Sequence, residues 1–189
     1  MQHAWFFGYG SLVNRLTHEY VQAHPARVRG WRRAWRYTHS FERTFLTAIP
    51  DPQAEIDGLI AAVPGGDWNA LDAREAGYDR HHLAAPDLVQ RTTDAIAAQI
   101  YAIAPDRSSL PGPTHPIKLS YLDVVVQGYL REFGEAGACD FFASTDGWET
   151  PVLDDRKAPL YARAQVLGPS ERGFVDDQLR ALGATVLRS

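Results

Sequence analysis

Glu75 sits in "LDAREAGYDR", where a helical pattern runs out at Gly77, so its carboxylate falls in the last turn. A negative charge there meets the unfavourable end of the helix dipole. Burial beside Tyr78 or Trp68 would push its pKa up as well. A carboxyl group raised in this way can take a proton and later return it near neutral pH. On a wet surface the same glutamate would instead pair with Arg74 or Arg80. A second stretch, "WFFGYGSLV", passes from three large aromatics directly into Tyr9, Gly10, Ser11 and Leu12. The aromatics suit a strand, while the glycines leave the backbone free to approach another group closely. Ser11 is not the serine of a G-x-S-x-G nucleophile elbow, and no Gly-Lys-Ser/Thr follows to make a phosphate loop. What remains is a strand-end turn. Its successive N–H groups either face an anion such as a ligand carboxylate or simply redirect the chain.

Other reactive side chains point elsewhere. His81 and His82, with His115 in reserve, suggest a metal site, but neighbours on a strand face opposite ways and do not share one ion. No metal is expected, and no cofactor. Cys139, the one cysteine, cannot form an internal disulfide, which fits a reducing cytoplasm. Beside Phe141 and Phe142 it reads as a small core residue rather than a reactive thiol. Residues 27–43 hold six arginines against Glu42, a net +5, which leaves −9 for the remainder of a chain whose formal charge is −4. With Trp31, Trp35 and Tyr37 interleaved, this stretch resembles a nucleic-acid surface. The alternative is an amphipathic strand with arginines on its wet face. The acidic remainder favours the strand, so nucleic acid is not an expected partner.

The elements that must position these groups read as follows. The 189 residues, 45% of them hydrophobic, suit one domain spanning 1–189, with no apolar run long enough for a membrane and no signal peptide. Residues 6–9 form a buried strand, and a short helix covers about 14–22. "ARVRGWRRAWRYTH" forms a strand in which Arg33, Trp35 and Tyr37 share one direction. Two more strands, 45–49 and 56–63, flank a turn at "PDPQAE". A short helix then has Asp67 as N-cap, Trp68 and Leu71 inward and Gly77 as stop. "LVQRTT" and "AAQIYAIA" are strands, and 107–116 is a loop with three prolines. Leu119, Leu122, Val126, Tyr129, Leu130 and Phe133 repeat at three- and four-residue spacings and predict a helix closed by Gly134. A short helix over 138–144 follows. A last helix has Ser170 as N-cap and Val175, Leu179 and Leu182 on one face. Strands early and helices late predict an α+β fold.

Taken together, "FFGYGSLV", "LDAREAGYDR" and "SYLDVVVQGY" resemble, in order and spacing, the γ-glutamylcyclotransferase-like superfamily. The absence of Asn between Ser11 and Leu12 resembles its Tyr-Gly-Ser-Leu, glutathione-degrading branch. Residues 36–58 match that branch only at "PDP" and Gly58 and leave the substrate open. The resemblance implies a small mixed or antiparallel β-barrel packed by helices. It implies that Tyr9, Gly10, Ser11 and Leu12 hold a γ-glutamyl group through main-chain atoms. By the same resemblance Glu75 is the catalytic acid/base, Tyr78 and Tyr121 line the pocket, and the product is 5-oxoproline. Two other readings compete: a protein of this fold that binds a small molecule without turnover, and a nucleic-acid module built on residues 27–43.

Overall fold

The computed structural model describes residues 4–90 and 97–188. β1 (Ala4–Gly8) is apolar on both faces because both are covered. Phe7 joins the main core with Leu122, Val125 and Tyr129, while Phe6 packs on the other side with Leu59, Leu71 and Tyr101. β1 leads into two single-turn 3₁₀ segments, Ser11–Val13 and Arg15–Thr17, where a helix over 14–22 was expected. The cause is Asn14, whose buried amide Nδ2 donates to Val124 O at 2.9 Å and Gln127 Oε1 at 3.0 Å and so pins the chain before a helix can propagate.

β2 (Ala23–Thr38) and β3 (Arg43–Val63) form a long antiparallel pair. The turn expected at "PDPQAE" is instead a bulge inside β3. Between the pairs Arg29↔Glu55 and Trp31↔Pro50, β2 contributes only Gly30 while β3 contributes 51–54, and the ladder resumes on both sides. After β3 come α1 (Asn69–Arg74), β4 (Asp79–Leu83), β5 (Leu88–Gln90), β6 (Ala98–Ala102) and β7 (Ser108–Ser109). The expected strand "LVQRTT" lies partly outside the described residues. Among those described, the main sheet runs β4-β6-β1-β3-β2-β5, with β1 antiparallel to β3 and parallel to β6. It is a curled half-barrel of mixed direction, in agreement with the expected α+β class. The remainder is β8 (Ile117–Lys118), α2 (Leu119–Ala143), β9 (Thr145–Asp146), β10 (Val152–Asp154), α3 (Pro169–Ala181) and β11 (Val186–Arg188). β8, β10 and β11 form a small parallel sheet.

α2 packs its Leu122, Val125, Val126 and Tyr129 into the same core as Phe7, Trp35 and Leu46 of the sheet. Gly134, at φ 71° and ψ −172°, breaks it into two helical pieces, as its position in the sequence implied. In the second piece Ala138, Phe141 and Phe142 are buried on one face, which turns Cys139 outward. The expectation of a core thiol is corrected: a residue one step from Ala138 lies about 100° around the helix from that stripe. α3 is capped by Gly168, not Ser170, because Glu171 Oε2 reaches back to accept from the Gly168 N–H at 2.7 Å. Val175 and Leu179 are buried there, but Leu182 is exposed. None of the helices among the described residues is long and apolar enough to cross a membrane.

The arginine-rich strand also departs from expectation at one position. Arg27, Arg29 and Arg32 lie on the wet face and pair with Asp57, Glu55 and Asp51 of β3. Arg33 shares the inward face with Trp35 and is fully buried. Its guanidinium donates to Tyr129 Oη at 2.7 Å, Asp57 O at 2.9 Å, Ser144 Oγ at 2.6 Å and Thr145 Oγ1 at 3.2 Å. His81 packs against the ring of Trp31 at 5.9 Å while His82 is exposed, as opposite faces of β4 require.

Candidate active site

Where β1 ends, the backbone comes close to α2. A Cβ built on Gly10 would lie 2.6 Å from Tyr121 Oη, so glycine is the residue that lets turn and tyrosine meet. The Tyr9 side chain is not free to meet a ligand. Buried, its hydroxyl donates to Tyr101 O at 2.6 Å and accepts from the Ala48 N–H at 3.0 Å. Its carbonyl lies 2.9 Å from Tyr129 Oη, the hydroxyl that Arg33 also holds. The turn is therefore fixed from both sides. Its hydrogen bonds begin with Val13 N–H to Gly10 O, so the N–H groups of Gly10, Ser11 and Leu12 precede the ladder, and that of Ser11 donates to the Tyr121 hydroxyl.

Glu75 is the C-cap of α1 rather than part of its last turn. Its N–H donates to Leu71 O, and Asp67, expected as N-cap, lies one residue before the N-cap Trp68 and accepts from the Asn69 N–H. The Glu75 side chain is 16% exposed and lies 3.1 Å from Arg74 Nε. Burial pushes the carboxyl above the usual carboxylate range, and the opposing pull of Arg74 and Arg163 does not cancel it. Desolvation is thus the main cause. The pairing with Arg74 that a surface glutamate would show is present, but in a partly desolvated setting. Arg74 does more than pair: Nη1 donates to Thr17 O at 2.7 Å, and Nη2 to Thr17 Oγ1 at 3.0 Å and Ser11 Oγ at 3.2 Å. One guanidinium therefore ties the Glu75 carboxylate to the serine-bearing turn.

The sequence motifs converge on one small cavity of about 30 Å³, which Tyr9, Gly10, Ser11, Leu12, Glu75, Tyr78 and Tyr121 line together. The Tyr78 hydroxyl donates to Leu46 O at 2.8 Å, and burial holds both Tyr78 and Tyr121 well above the usual phenol range. They remain protonated donors at neutral pH. The sequence reading missed Leu46 and Tyr101 in this wall, and it missed Tyr161, whose ring meets that of Tyr121 edge-on at 5.0 Å. Tyr101 alternates within a legible strand. Tyr161 sits in an aperiodic loop and carries no local signal.

The arrangement juxtaposes a desolvated carboxyl, main-chain donors and two phenols. Residues 4–132 match the family of ChaC-like proteins. No curated protein matches the chain. Its fold is similar to that of a solved γ-glutamyl cyclotransferase, with a TM-score of 0.55 and 14% identity over 93% of this chain and 99% of that one. An uncharacterized human protein gives the same values. YkqA from Bacillus subtilis gives 0.54 at 13% identity, over 78% of this chain and 57% of that one. At such identities the structural likeness is one of fold, and membership rests on the sequence match. The chain belongs to the ChaC-like family.

Proposed function

We propose that the protein is a γ-glutamylcyclotransferase-type enzyme that converts a γ-glutamyl compound into 5-oxoproline and a free amine. The observation that carries this reading is the Glu75 carboxyl, raised by burial, facing the same cavity as the turn of Gly10, Ser11 and Leu12. A γ-glutamyl compound contains its own nucleophile. Its α-nitrogen attacks the γ-carbonyl carbon, a five-membered ring closes, and the carbon–nitrogen bond to the leaving amine breaks. Glu75 takes one proton from the α-ammonium before the attack and gives it to the departing nitrogen. The ring nitrogen sheds its second proton as the lactam forms, and the released amine takes one up to leave as an ammonium. Holding amine and carbonyl together supplies part of the barrier lowering by proximity. The N–H groups before the Val13–Gly10 bond anchor the substrate or stabilise the developing oxyanion. Arg74 orients the carboxylate, Tyr121 borders the substrate, and Tyr78, whose hydroxyl donates to Leu46 O, shapes the wall. Membership of the ChaC-like family and a fold similar to that of a solved γ-glutamyl cyclotransferase support the reading.

The test is release of 5-oxoproline from γ-glutamyl amino acids, peptides and amines by wild type and Glu75→Gln. The variant should lose about 10²- to 10⁴-fold in kcat while its circular dichroism and melting stay native. The acid limb of kcat/KM should bend above the ordinary carboxylate value of 4.5, because Glu75 must be ionised to accept the proton. Turnover by Glu75→Gln at the wild-type rate would remove Glu75 from the chemistry.

A further inference from the structure

The turn that borders the Glu75 cavity is held by its carbonyls. A trans peptide is planar, so its C=O and the following N–H point to opposite sides, and a bond that fixes the carbonyl also aims the N–H. Tyr9 O accepts from Tyr129 Oη at 2.9 Å, and Gly10 O from the Val13 N–H at 3.0 Å. Ser11 O accepts from Thr17 Oγ1 at 2.9 Å and from the Asn14 N–H at 3.1 Å. Leu12 O lies 3.1 Å from His18 Nε2. Because His18 Nδ1 accepts from the Tyr20 N–H at 3.3 Å, Nε2 carries the ring proton and donates. Consecutive carbonyls from Tyr9 to Leu12 are therefore all engaged, the last two by side chains of the neighbours Thr17 and His18.

Thr17 has a second contact that none of the other holders shares. It is buried and does not line the cavity. Its hydroxyl proton lies between Ser11 O and Asn14 O, each 2.9 Å from Oγ1, and its oxygen accepts from Arg74 Nη2 at 3.0 Å. Arg74 in turn holds Glu75 Oε1 through Nε at 3.1 Å. A path from the Leu12 N–H to the carboxylate thus runs through the Ser11 carbonyl, the Thr17 hydroxyl and the Arg74 guanidinium. Arg74 also meets Ser11 Oγ at 3.2 Å, but that contact reaches only a side chain, whereas the Thr17 contact reaches the main chain. A hydroxyl that accepts from a cation donates more strongly, so the Arg74 contact stiffens the bond to Ser11 O. Thr17 is itself placed from outside. Its N–H donates to Asn14 O at 2.9 Å, its carbonyl accepts from Arg74 Nη1 at 2.7 Å, and Asn14 is anchored to Val124 and Gln127 of α2.

We propose that Thr17 is a positioning residue that holds the Leu12 N–H and the Glu75 carboxylate in one frame without touching the substrate. The inference rests on the cyclotransferase reading and adds to it a residue outside both the turn and α1. In that reaction the donor acts on a substrate oxygen and the glutamate on its nitrogens, from different chain segments. Their separation must be set by a group bonded to both, and the Thr17–Arg74 pair is such a group.

Two substitutions test it. Thr17→Val keeps the shape and removes the hydroxyl, whereas Thr17→Ser keeps the hydroxyl. In Thr17→Val the Asn14 N–H still holds Ser11 O and the carbonyl of residue 17 still holds Arg74, so the chain is expected to fold. Removing an oxyanion donor outright costs about 10²- to 10³-fold. A donor left in place but less well aimed should cost about 10- to 100-fold in kcat/KM for 5-oxoproline release. The assay uses whichever γ-glutamyl amino acid, peptide or amine wild type turns over fastest, with rates expressed per native molecule as counted by circular dichroism. Thr17→Ser should recover most of the loss, which a role in folding alone would not produce. Thr17→Val at the wild-type rate, or Thr17→Ser falling as far as Thr17→Val, overturns the assignment. If wild type releases 5-oxoproline from none of the compounds, the cyclotransferase reading fails, and the frame is judged without turnover. In protein carrying isotope-labelled leucine, the NMR signal of the Leu12 amide nitrogen, identified by its loss in Leu12→Ile, reports the bond on the preceding Ser11 carbonyl. A shift in Thr17→Val that Thr17→Ser does not show upholds the positioning role. A signal unmoved in Thr17→Val, or moved equally in both, sinks it.

Discussion

Replacing Gly10 by alanine tests the closest contact in the candidate site. The new Cβ would sit 2.6 Å from Tyr121 Oη, whereas ordinary contacts begin near 3.4 Å, so one partner must move by roughly 0.8 Å. The other side of the Cβ offers no escape, because Leu46 Cδ2 is already 3.5 Å away. Tyr121 is not free to swing, being packed edge-on against Trp35 at 6.0 Å and Tyr161 at 5.0 Å. Overpacking of this kind costs about 1–3 kcal/mol. A displacement approaching an ångström at the reacting centre costs on the order of 10²-fold in rate.

The contact can be probed with Tyr121→Phe, which deletes the clashing oxygen together with the bond it accepts from the Ser11 N–H. The Gly10 backbone, at φ −115° and ψ −129°, lies outside the main basins, so alanine meets some strain there whatever it touches. That strain is the same in both backgrounds and cancels in a double-mutant cycle. Urea unfolding of wild type, both single variants and the double variant should give a combined loss smaller than the sum by about 1–2 kcal/mol. The 5-oxoproline assay should show Gly10→Ala losing about 10²-fold and losing less in the Tyr121→Phe background. Additivity to within about 0.5 kcal/mol would mean that the two residues do not touch, and the geometry of the turn would have to be redrawn.

Three further outcomes follow from buried or exposed polar groups. Burial pushes His18 down to about 4, with Nε2 3.1 Å from Leu12 O and Nδ1 accepting from the Tyr20 N–H. A depressed folded value means stability that is present above the unfolded pKa of 6.5 and lost as pH falls toward 4; His18→Gln should flatten this slope in pH-dependent melting. Exposed Cys139 should react with a thiol reagent in the native protein, and Cys139→Ser should change stability by no more than about 0.5 kcal/mol. Arg33→Met should cost about 1–3 kcal/mol in urea unfolding, because it removes the buried guanidinium's bonds to Tyr129 Oη, Asp57 O, Ser144 Oγ and Thr145 Oγ1, although the Tyr129 hydroxyl keeps its own bonds to Asp57 O and Tyr9 O.

Local signals carried the parts of the molecule that are locally determined. The aromatic run of β1, the end of α1 before Gly77 and the stripe of α2 all follow from periodicity and glycine punctuation, and those elements bring Glu75, Tyr78 and Tyr121 to the turn. Where long-range pairing overrides a local signal, the reading failed. "PDPQAE" has the composition of a turn, but β2 supplies register on both sides of it, and the surplus residues are absorbed as a bulge. Residues 14–17 could not become an α-helix because Asn14 is bonded to carbonyl and amide groups more than a hundred residues away. Arg33 looks like its exposed neighbours until Tyr129 and Ser144 are placed beside it. No window of sequence contains that information.

The polar groups that composition misjudged are also those that hold the site in shape. Arg33 is buried without a carboxylate contact. Its charge is met by a phenol, a carbonyl, two hydroxyls and the faces of Tyr129 and Phe141, at 5.2 and 5.1 Å. Through Tyr129 it fixes the carbonyl of Tyr9, much as Arg74 fixes Ser11 to Glu75 and Asp155 fixes the loop of Tyr161. A buried polar network stabilises only when every member is satisfied, so each of these residues constrains the others. The Glu75 cavity, with Arg74 and the Arg33 that holds Tyr129, lies within residues 4–132, the segment shared with the family. Asp155 and Tyr161 lie beyond it. A fold divided in this way can keep the turn, Glu75 and Arg74 in place while the C-terminal loop that carries Tyr161 reshapes the wall against Tyr121.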